Sequence, residues 1–220
     1  TVMEDCRVLE ACREGKYTSV LVQTHDKKYV EYRTEHFVNA LGSGAGKLCD
    51  SMGIDAGLYP VRHQAFITRR LPMLGKHGTN LDMLIDRQDY KGFSAVYGQQ
   101  IAYTGQIIGC ASPKLDAMRI DKNLKVNTKA FLEIVSEMFS EWIPDLAGVG
   151  IQAVWAGYYT EPRYIVDPEL GLFVGMRGHG FMLSQYIARM YVDKLLGRPV
   201  PEYFEKLKLN GPGLSEKAFK

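Results

Sequence analysis

The sequence predicts an α+β protein built on antiparallel sheets. Short runs of β-branched and aromatic residues alternate with polar ones and are punctuated by turn residues, the two-residue period of strands. Two segments carry a strong helical stripe of apolar residues instead. No complete strand–helix–strand unit of the parallel kind can be traced between them.

Taken in order, "CRVLEACREG" and "YTSVLVQTHDKKYVEYRTEHFVNAL" are β-branched runs broken by "EGK" and "HDKK", which predicts a succession of strands ending near Leu41. "AGKLCDSMGI" reads as a short helix. "YPVRHQAFITRRL", "MLIDRQD", "GFSAVYG", "QIAYTGQIIGCAS" and "IQAVWAGYY" alternate well enough to be strands of one antiparallel sheet. Within that region Asn127 and Thr128 offer a cap for a helix whose stripe is Phe131, Leu132, Val135, Met138, Phe139 and Trp142, stopped by Pro144. A second helix carries Leu183, Tyr186, Ile187, Met190, Tyr191 and Leu195 on one face and ends at Gly197 with Pro199 beyond. Both stripes read as core. The tail "NGPGLSEKAFK" is turn-rich and expected on the surface.

The 220 residues are 46% hydrophobic and 24% charged, enough for one sizeable core or two smaller ones. Basic and acidic residues, 27 and 25, are interspersed and nearly cancel, so the chain has no electrostatic footprint for nucleic acid or an anionic membrane. Cys6, Cys12, Cys49 and Cys110 show no zinc-ligand spacing and read as reduced core thiols of a cytoplasmic protein; no metal site is expected. No apolar run reaches membrane-spanning length. The chain begins in a strand-like pattern without an initiator methionine, which reads as a cut end.

Two glycine-rich stretches are compared with nucleotide motifs. In "LGSGAGKL" a phosphate-binding loop needs glycine at position 41 and Ser or Thr after Lys47, where Leu41 and Leu48 stand. A dinucleotide fingerprint needs glycine at position 47. The second stretch is "GMRGHGFML", residues 175–183, set between a strand-like run and a helix. Its glycines permit positive φ and close approach of backbone to a ligand, and the following helix start points its N–H groups at electron-rich chemistry; a plain strand-to-helix turn is the alternative.

The ordered series "VNALGSGAGKL…GIDAGLYPVRHQAFIT…QIIGCASP…FLEIVSEMFSEWIPDL…VWAGYYTEPRYIVDPELGLFVGMRGHGFM" resembles the later half of the D-amino-acid-oxidase-like flavoenzymes, which include glycine oxidase, sarcosine oxidase and dehydrogenase, and dye-linked proline dehydrogenase. The resemblance implies a fold made of an antiparallel-sheet substrate domain and the later part of an FAD-binding α/β domain. It divides the chain into residues 1–56 and 156–205 on the cofactor side, 57–155 as the substrate domain and 206–220 as tail. It implies that Val38–Gly42, the family's "VNAAG"-like turn, lies beside FAD, that Pro60–Gln64 opens the substrate domain, and that Gly178, His179, Gly180 and Phe181 fold over the flavin ring. Val8, Ala40, Gly42 and Met182 join these four as cofactor-side candidates, and Ser184 and Met182 are placed at the flavin edge.

The implied activity is dehydrogenation of an amine or amino acid, such as sarcosine, proline or glycine, by hydride transfer to FAD. His179, Tyr159 and Arg163 are the catalytic candidates. His179 hydrogen-bonds flavin or substrate, or else ties the turn to neighbouring backbone. Tyr158 and Tyr159 lie on opposite faces of one strand, and the resemblance turns Tyr159 toward substrate. Tyr90, Tyr97 and Tyr103 are assigned to the sheet or its loops. Glycine-oxidase-like members carry a carboxylate-binding arginine where Tyr159 stands, so Arg163 or Arg62 would have to replace it. Relatives with covalent flavin carry a cysteine that aligns with Gly157, so non-covalent FAD is implied. The family's amino-terminal phosphate-cradling unit is not found, which implies a partner: an amino-terminal FAD-binding chain or fragment, in a hetero- or homo-oligomer. A non-catalytic scaffold subunit of a flavoenzyme complex is the other reading.

Overall fold

The structure, a computed structural model, describes residues 1–75, 80–86, 93–113 and 128–213. Asn127 and Tyr90 lie outside the described residues, as does the last part of the tail. The described chain divides into two compact units, one from Thr1–Pro60 with Tyr159–Lys220, the other from Val61–Tyr158.

The first unit opens with an antiparallel meander, β1 (Arg7–Glu14), β2 (Tyr17–Gln23) and β3 (Tyr29–Thr34). Alternation sends Ala11, Val20 and Val22 to one face, where they close over Leu48 of α1 (Ala45–Ser51). Ser51 Oγ accepts from Ala11 N at 3.1 Å and pins α1 to β1. A hairpin of β9 (Ile165–Asp167) and β10 (Leu172–Val174) follows later in the chain, its turn organised by Asp167 Oδ1, which accepts from Glu169 N and Leu170 N at 3.1 and 3.2 Å. Asn39 lies parallel to Leu172, with Asn39 N donating to Gly171 O and Phe173 N to Asn39 O at 2.8 and 3.0 Å. α3 (Gly180–Leu195) packs Ile187, Met190 and Tyr191 against Tyr164, Val166, Phe204 and Leu207.

The second unit is built on a five-stranded sheet in the order β5-β6-β7-β4-β8, from β4 (Tyr59–Thr68), β5 (Leu84–Asp86), β6 (Phe93–Ile101), β7 (Gln106–Pro113) and β8 (Ile151–Glu161). The pairings β4–β7, β5–β6 and β6–β7 are antiparallel. α2 (Thr128–Trp142) covers one face, and Phe66, Val96, Ile107 and Ala111 meet Phe131, Ile134, Val135, Met138 and Phe139 there. The rings of Phe66 and Phe139 meet edge-on at 5.5 Å. Gly109 makes this packing fit, since a Cβ there would stand 2.3 Å from Tyr97 O and 2.5 Å from the Phe66 ring.

Mixed helix and antiparallel sheet is therefore the observed class. Several element-level expectations need correction. "QIAYTGQIIGCAS" is the end of β6, a turn over 102–105 and the start of β7, because Gly105 takes φ +65° and reverses the chain. Tyr103 projects from that turn into solvent, whereas Tyr97 sits within β6. The α3 stripe is narrower than its sequence suggests: Tyr186 is 54% exposed and shares a 2.7 Å hydroxyl–hydroxyl bond with Tyr203 at the surface, and Leu195 is exposed too. Ile134, overlooked in the α2 stripe, is buried, while Leu132 and Trp142 are only half-buried. Of the thiols, Cys49 and Cys110 are core, but Cys12 is exposed, one step out of phase with buried Ala11, and Cys6 is half-buried. No helix among the described residues is long and apolar enough to cross a membrane.

Candidate functional site

Two glycine turns leave the first unit side by side. Asn39 and Leu172 run parallel, so the chain continuing from each exits at the same, carboxyl-terminal end. From Asn39 it passes Ala40 and Leu41 to Gly42, where φ is +56°, and enters a 3₁₀ turn (Gly42–Gly44) and then α1. From β10 it passes Gly175, where φ is +72°, and Met176 into a 3₁₀ turn (Arg177–His179) and then α3. In open parallel sheets ligands bind outside the carboxyl ends of the strands, and this isolated parallel bridge sets both turns at the equivalent end. Asn39 holds the first turn from inside, its Nδ2 donating to Ala45 O at 3.0 Å and its Oδ1 accepting from Leu41 N at 3.3 Å. The same amide reaches Cys49 Sγ at 3.5 Å; burial pushes the Cys49 thiol pKa up, so it stays a neutral packing group.

The second turn is gripped along its whole length by the strand end that precedes β9. A Cβ on Gly175 would fall 1.8 Å from Arg163 O, so only glycine lets the two backbones meet. Arg177 Nε donates to Glu161 Oε2 at 2.6 Å. A Cβ on Gly178 would stand 2.9 Å from the Tyr159 ring. His179 Nδ1 and the Tyr164 hydroxyl are 2.8 Å apart, with the donor set by the histidine tautomer. A Cβ on Gly180 would stand 2.7 Å from Met176 Cβ. The space that Gly178 and Gly180 leave open is thus filled by the chain's own Tyr159 and Met176.

The structure therefore brings Tyr159, Gly178, His179 and Gly180 together. It separates other candidates from them. Arg163 Nη1 donates to Gly211 O at 2.7 Å and Nη2 to Leu209 O, so its guanidinium clamps the chain's carboxyl-terminal turn. That use was invisible in sequence, because Leu209 and Gly211 are more than forty positions away. Val8 is half-buried in the cluster of Ala11, Val20, Val22 and Leu48. Ala40 and Gly42 are exposed, and a Cβ at Gly42 would meet nothing within 4 Å. Phe181 and Met182, in the first turn of α3, are 97% and 69% exposed, and Val38 and Leu41 are exposed as well. Ser184 Oγ donates to Phe181 O at 3.3 Å. Tyr158 and Arg62 belong to the second unit. Sequence reasoning missed Glu161, Tyr164 and Arg177; the available signal for Glu161 was its two-residue spacing from Tyr159 on one face of β8.

The first turn of α3 contains no acidic side chain, so the positive end of its dipole is not neutralised locally. The geometry offers a cradle of backbone N–H groups, a histidine oriented by a tyrosine, an aromatic ring beneath the turn, and exposed apolar side chains at its rim. Among the described residues no cluster of His, Cys, Asp and Glu is arranged to hold a metal.

A family model described as FAD dependent oxidoreductase, DAO, matches residues 1–194. Solved structures share the fold. Glycine oxidase from Geobacillus kaustophilus superposes with a TM-score of 0.66 at 17% identity over 93% of this chain and 52% of its own. Fructosamine oxidase from Aspergillus fumigatus gives 0.66 at 17% identity over 93% and 51%. Iminodiacetate oxidase from Chelativorans sp. BNC1 gives 0.65 at 14% identity over 95% and 53%. The chain thus spans about half the length of these structures. No curated protein sequence matches it.

Proposed function

The chain belongs to the DAO family of FAD-dependent oxidoreductases, and from that premise we propose that it forms the flavin-capping and substrate-side part of an enzyme that dehydrogenates an amine or amino acid. The substrates proposed are secondary amines such as sarcosine or proline, or glycine; the neighbours are named for the oxidation of glycine, fructosamine and iminodiacetate, all amines. The observation that carries the reading is the parallel pairing of Asn39 with Leu172, which delivers both glycine turns to one edge. FAD fits that edge: the space beside Gly42 is open, Gly178 and Gly180 let the second turn pack tightly on Tyr159 and Met176, and Phe181 and Met182 are apolar groups with little packing of their own.

When bound, FAD would accept a hydride from the carbon next to the amine nitrogen. The backbone N–H groups opening α3 stabilise negative charge at that position without reorganising. Tyr159, set under Gly178, and His179, oriented through its Nδ1 by Tyr164, are the side chains proposed to orient the substrate amine with its lone pair free. Arg163 serves as a clamp for the turn at Leu209–Gly211 in this reading, and the close approach of its carbonyl to the Gly175 backbone supports the cradle. FAD is proposed to be held without a covalent bond, since Gly157 has no side chain to offer one. The proposed partner is an amino-terminal FAD-binding chain or fragment that covers Phe181, Met182 and the exposed Val192 of α3 together with Leu196 just after it, in the cytoplasm.

The test is the flavin itself. The complete enzyme containing this chain should absorb near roughly 370 and 450 nm, lose the flavin on denaturation, and bleach under anaerobic sarcosine, proline or glycine. A complete enzyme without flavin absorbance, or one that none of these amines bleaches, refutes the proposal.

A further inference from the structure

Arg177 is the one residue of the 175–180 turn that occupies the left-handed region without being glycine, with φ +49°. Glycine takes such a φ without steric cost, as Gly42 and Gly175 do nearby. A long side chain there is held against its local preference, and structure elsewhere must determine it. What determines it is visible. The guanidinium Nε meets Glu161 Oε2 at 2.6 Å, and the two side chains are only 25% and 16% exposed. Glu161 is the last residue of β8, so its carboxylate comes from a strand end and not from the turn.

The neighbouring grips are of a different kind. Gly175 and Gly178 fit by shape, and Tyr164 meets His179 through a neutral hydroxyl. The Arg177–Glu161 pair alone among these carries charge, and it sits one turn before the opening of α3. An uncompensated carboxylate at Glu161 would oppose the positive helix start.

Resting on the functional reading above, we propose that Arg177 is a positioning residue: bound to Glu161, it fixes the 175–180 turn in its cradle form before cofactor arrives and cancels the Glu161 charge beside the opening of α3. The turn is then preorganised for a ring that gains negative charge on accepting hydride, and little ordering remains when the ring binds.

The complete enzyme is prepared unmodified and as Arg177→Gly, Glu161→Gln and the double variant. Glycine at position 177 relaxes the backbone, and glutamine at 161 removes the charge left behind, so the double variant is expected to keep the fold and a melting temperature near that of the unmodified enzyme. Three readouts are taken: amide hydrogen exchange over 177–181 in flavin-free protein, FAD affinity, and the midpoint potential of the bound flavin. The expected result is faster exchange and at least about tenfold weaker FAD binding for the double variant. Arg177→Gly alone should in addition shift the potential to more negative values, because Glu161 then loses the positive charge of the Arg177 guanidinium, and the double variant should reverse that shift. A double variant with unchanged exchange and FAD affinity within twofold of the unmodified enzyme overturns the proposal. So does a lowered melting temperature without change in affinity, exchange or potential, the mark of a purely structural ion pair. Absence of flavin from the unmodified enzyme overturns the functional reading itself, and the proposal with it.

Discussion

Gly175→Ala removes the closest backbone approach in the candidate site, and its cost can be worked from two terms. At φ +72° an alanine pays the left-handed penalty of about 1 kcal/mol. Its Cβ would begin 1.8 Å from Arg163 O, whereas carbon and oxygen come no nearer than about 3.3 Å even in favourable contacts. The turn must therefore open by about 1.5 Å, away from the strand end that carries Glu161 and Tyr164. Displacement on that scale disturbs the Arg177 and His179 bonds together, which places the total at about 3–5 kcal/mol. For a protein of this size that corresponds to a fall in melting temperature of about 10 °C. Gly42→Ala is the control: φ is +56° but the space is open, so only the backbone penalty of about 1 kcal/mol and a fall of about 3 °C are expected. Both are measured by circular dichroism on flavin-free protein, so that lost ligand binding does not contribute. Melting temperatures for the two variants within about 2 °C of each other would refute the argument that backbone contact, and not turn conformation, makes Gly175 necessary.

Gly180→Val should abolish FAD binding while far-ultraviolet dichroism is retained, because position 180 is already helical at φ −53° and the clash is with Met176 Cβ, which cannot rotate away; retained flavin absorbance after gel filtration would count against it. His179→Ala and Tyr164→Phe should each lower turnover at least about tenfold while stability moves by no more than about 1.5 kcal/mol, the worth of one hydrogen bond; the reverse pattern, steady turnover with a large loss of stability, would return the pair to a structural role. Tyr191 is 4% exposed and its phenol is raised to about 12, first by burial and then by the nearby Asp167 carboxylate. The unfolded chain, with a phenol near 10, ionises first as pH rises. Stability from the neutral buried phenol is therefore complete below pH 10 and lost between about 10 and 12, by roughly 2–3 kcal/mol in all. Tyr191→Phe should flatten urea-derived stability over that window, and an unchanged slope would contradict the assignment.

Periodicity carried the secondary structure where one face of an element meets one core. Val20 and Val22 alternate with half-buried Leu21 and Gln23, and Phe131, Val135, Met138 and Phe139 repeat at helical spacing, because the face of an element that meets a core imposes its period on the residues. Glycine chemistry likewise marked Gly175 and Gly197 as turns, and the resemblance marked Gly42; all three take positive φ, whereas Gly178 and Gly180 do not. The turn at "GMRGHGFML" was legible as a place where backbone must come close to something. What it comes close to was decided by tertiary structure. The segment from Tyr159 to Arg163, the end of β8 and the residues just after it, lies some sixteen positions upstream of the turn, and no local rule couples the two; both belong to the first unit, and only its folding brings Glu161 to Arg177 and the Arg163 carbonyl to Gly175. Arg163 shows the limit most directly. Its charge suggested a ligand, yet two carbonyls from a distant turn satisfy it, since a guanidinium takes whichever acceptors the fold sets in its plane. Alternation along a strand is a property of one element and is written in sequence. A hydrogen bond between elements depends on register and on the path of intervening chain, and only the folded arrangement of Asn39 beside Leu172 and of Arg177 beside Glu161 determines it.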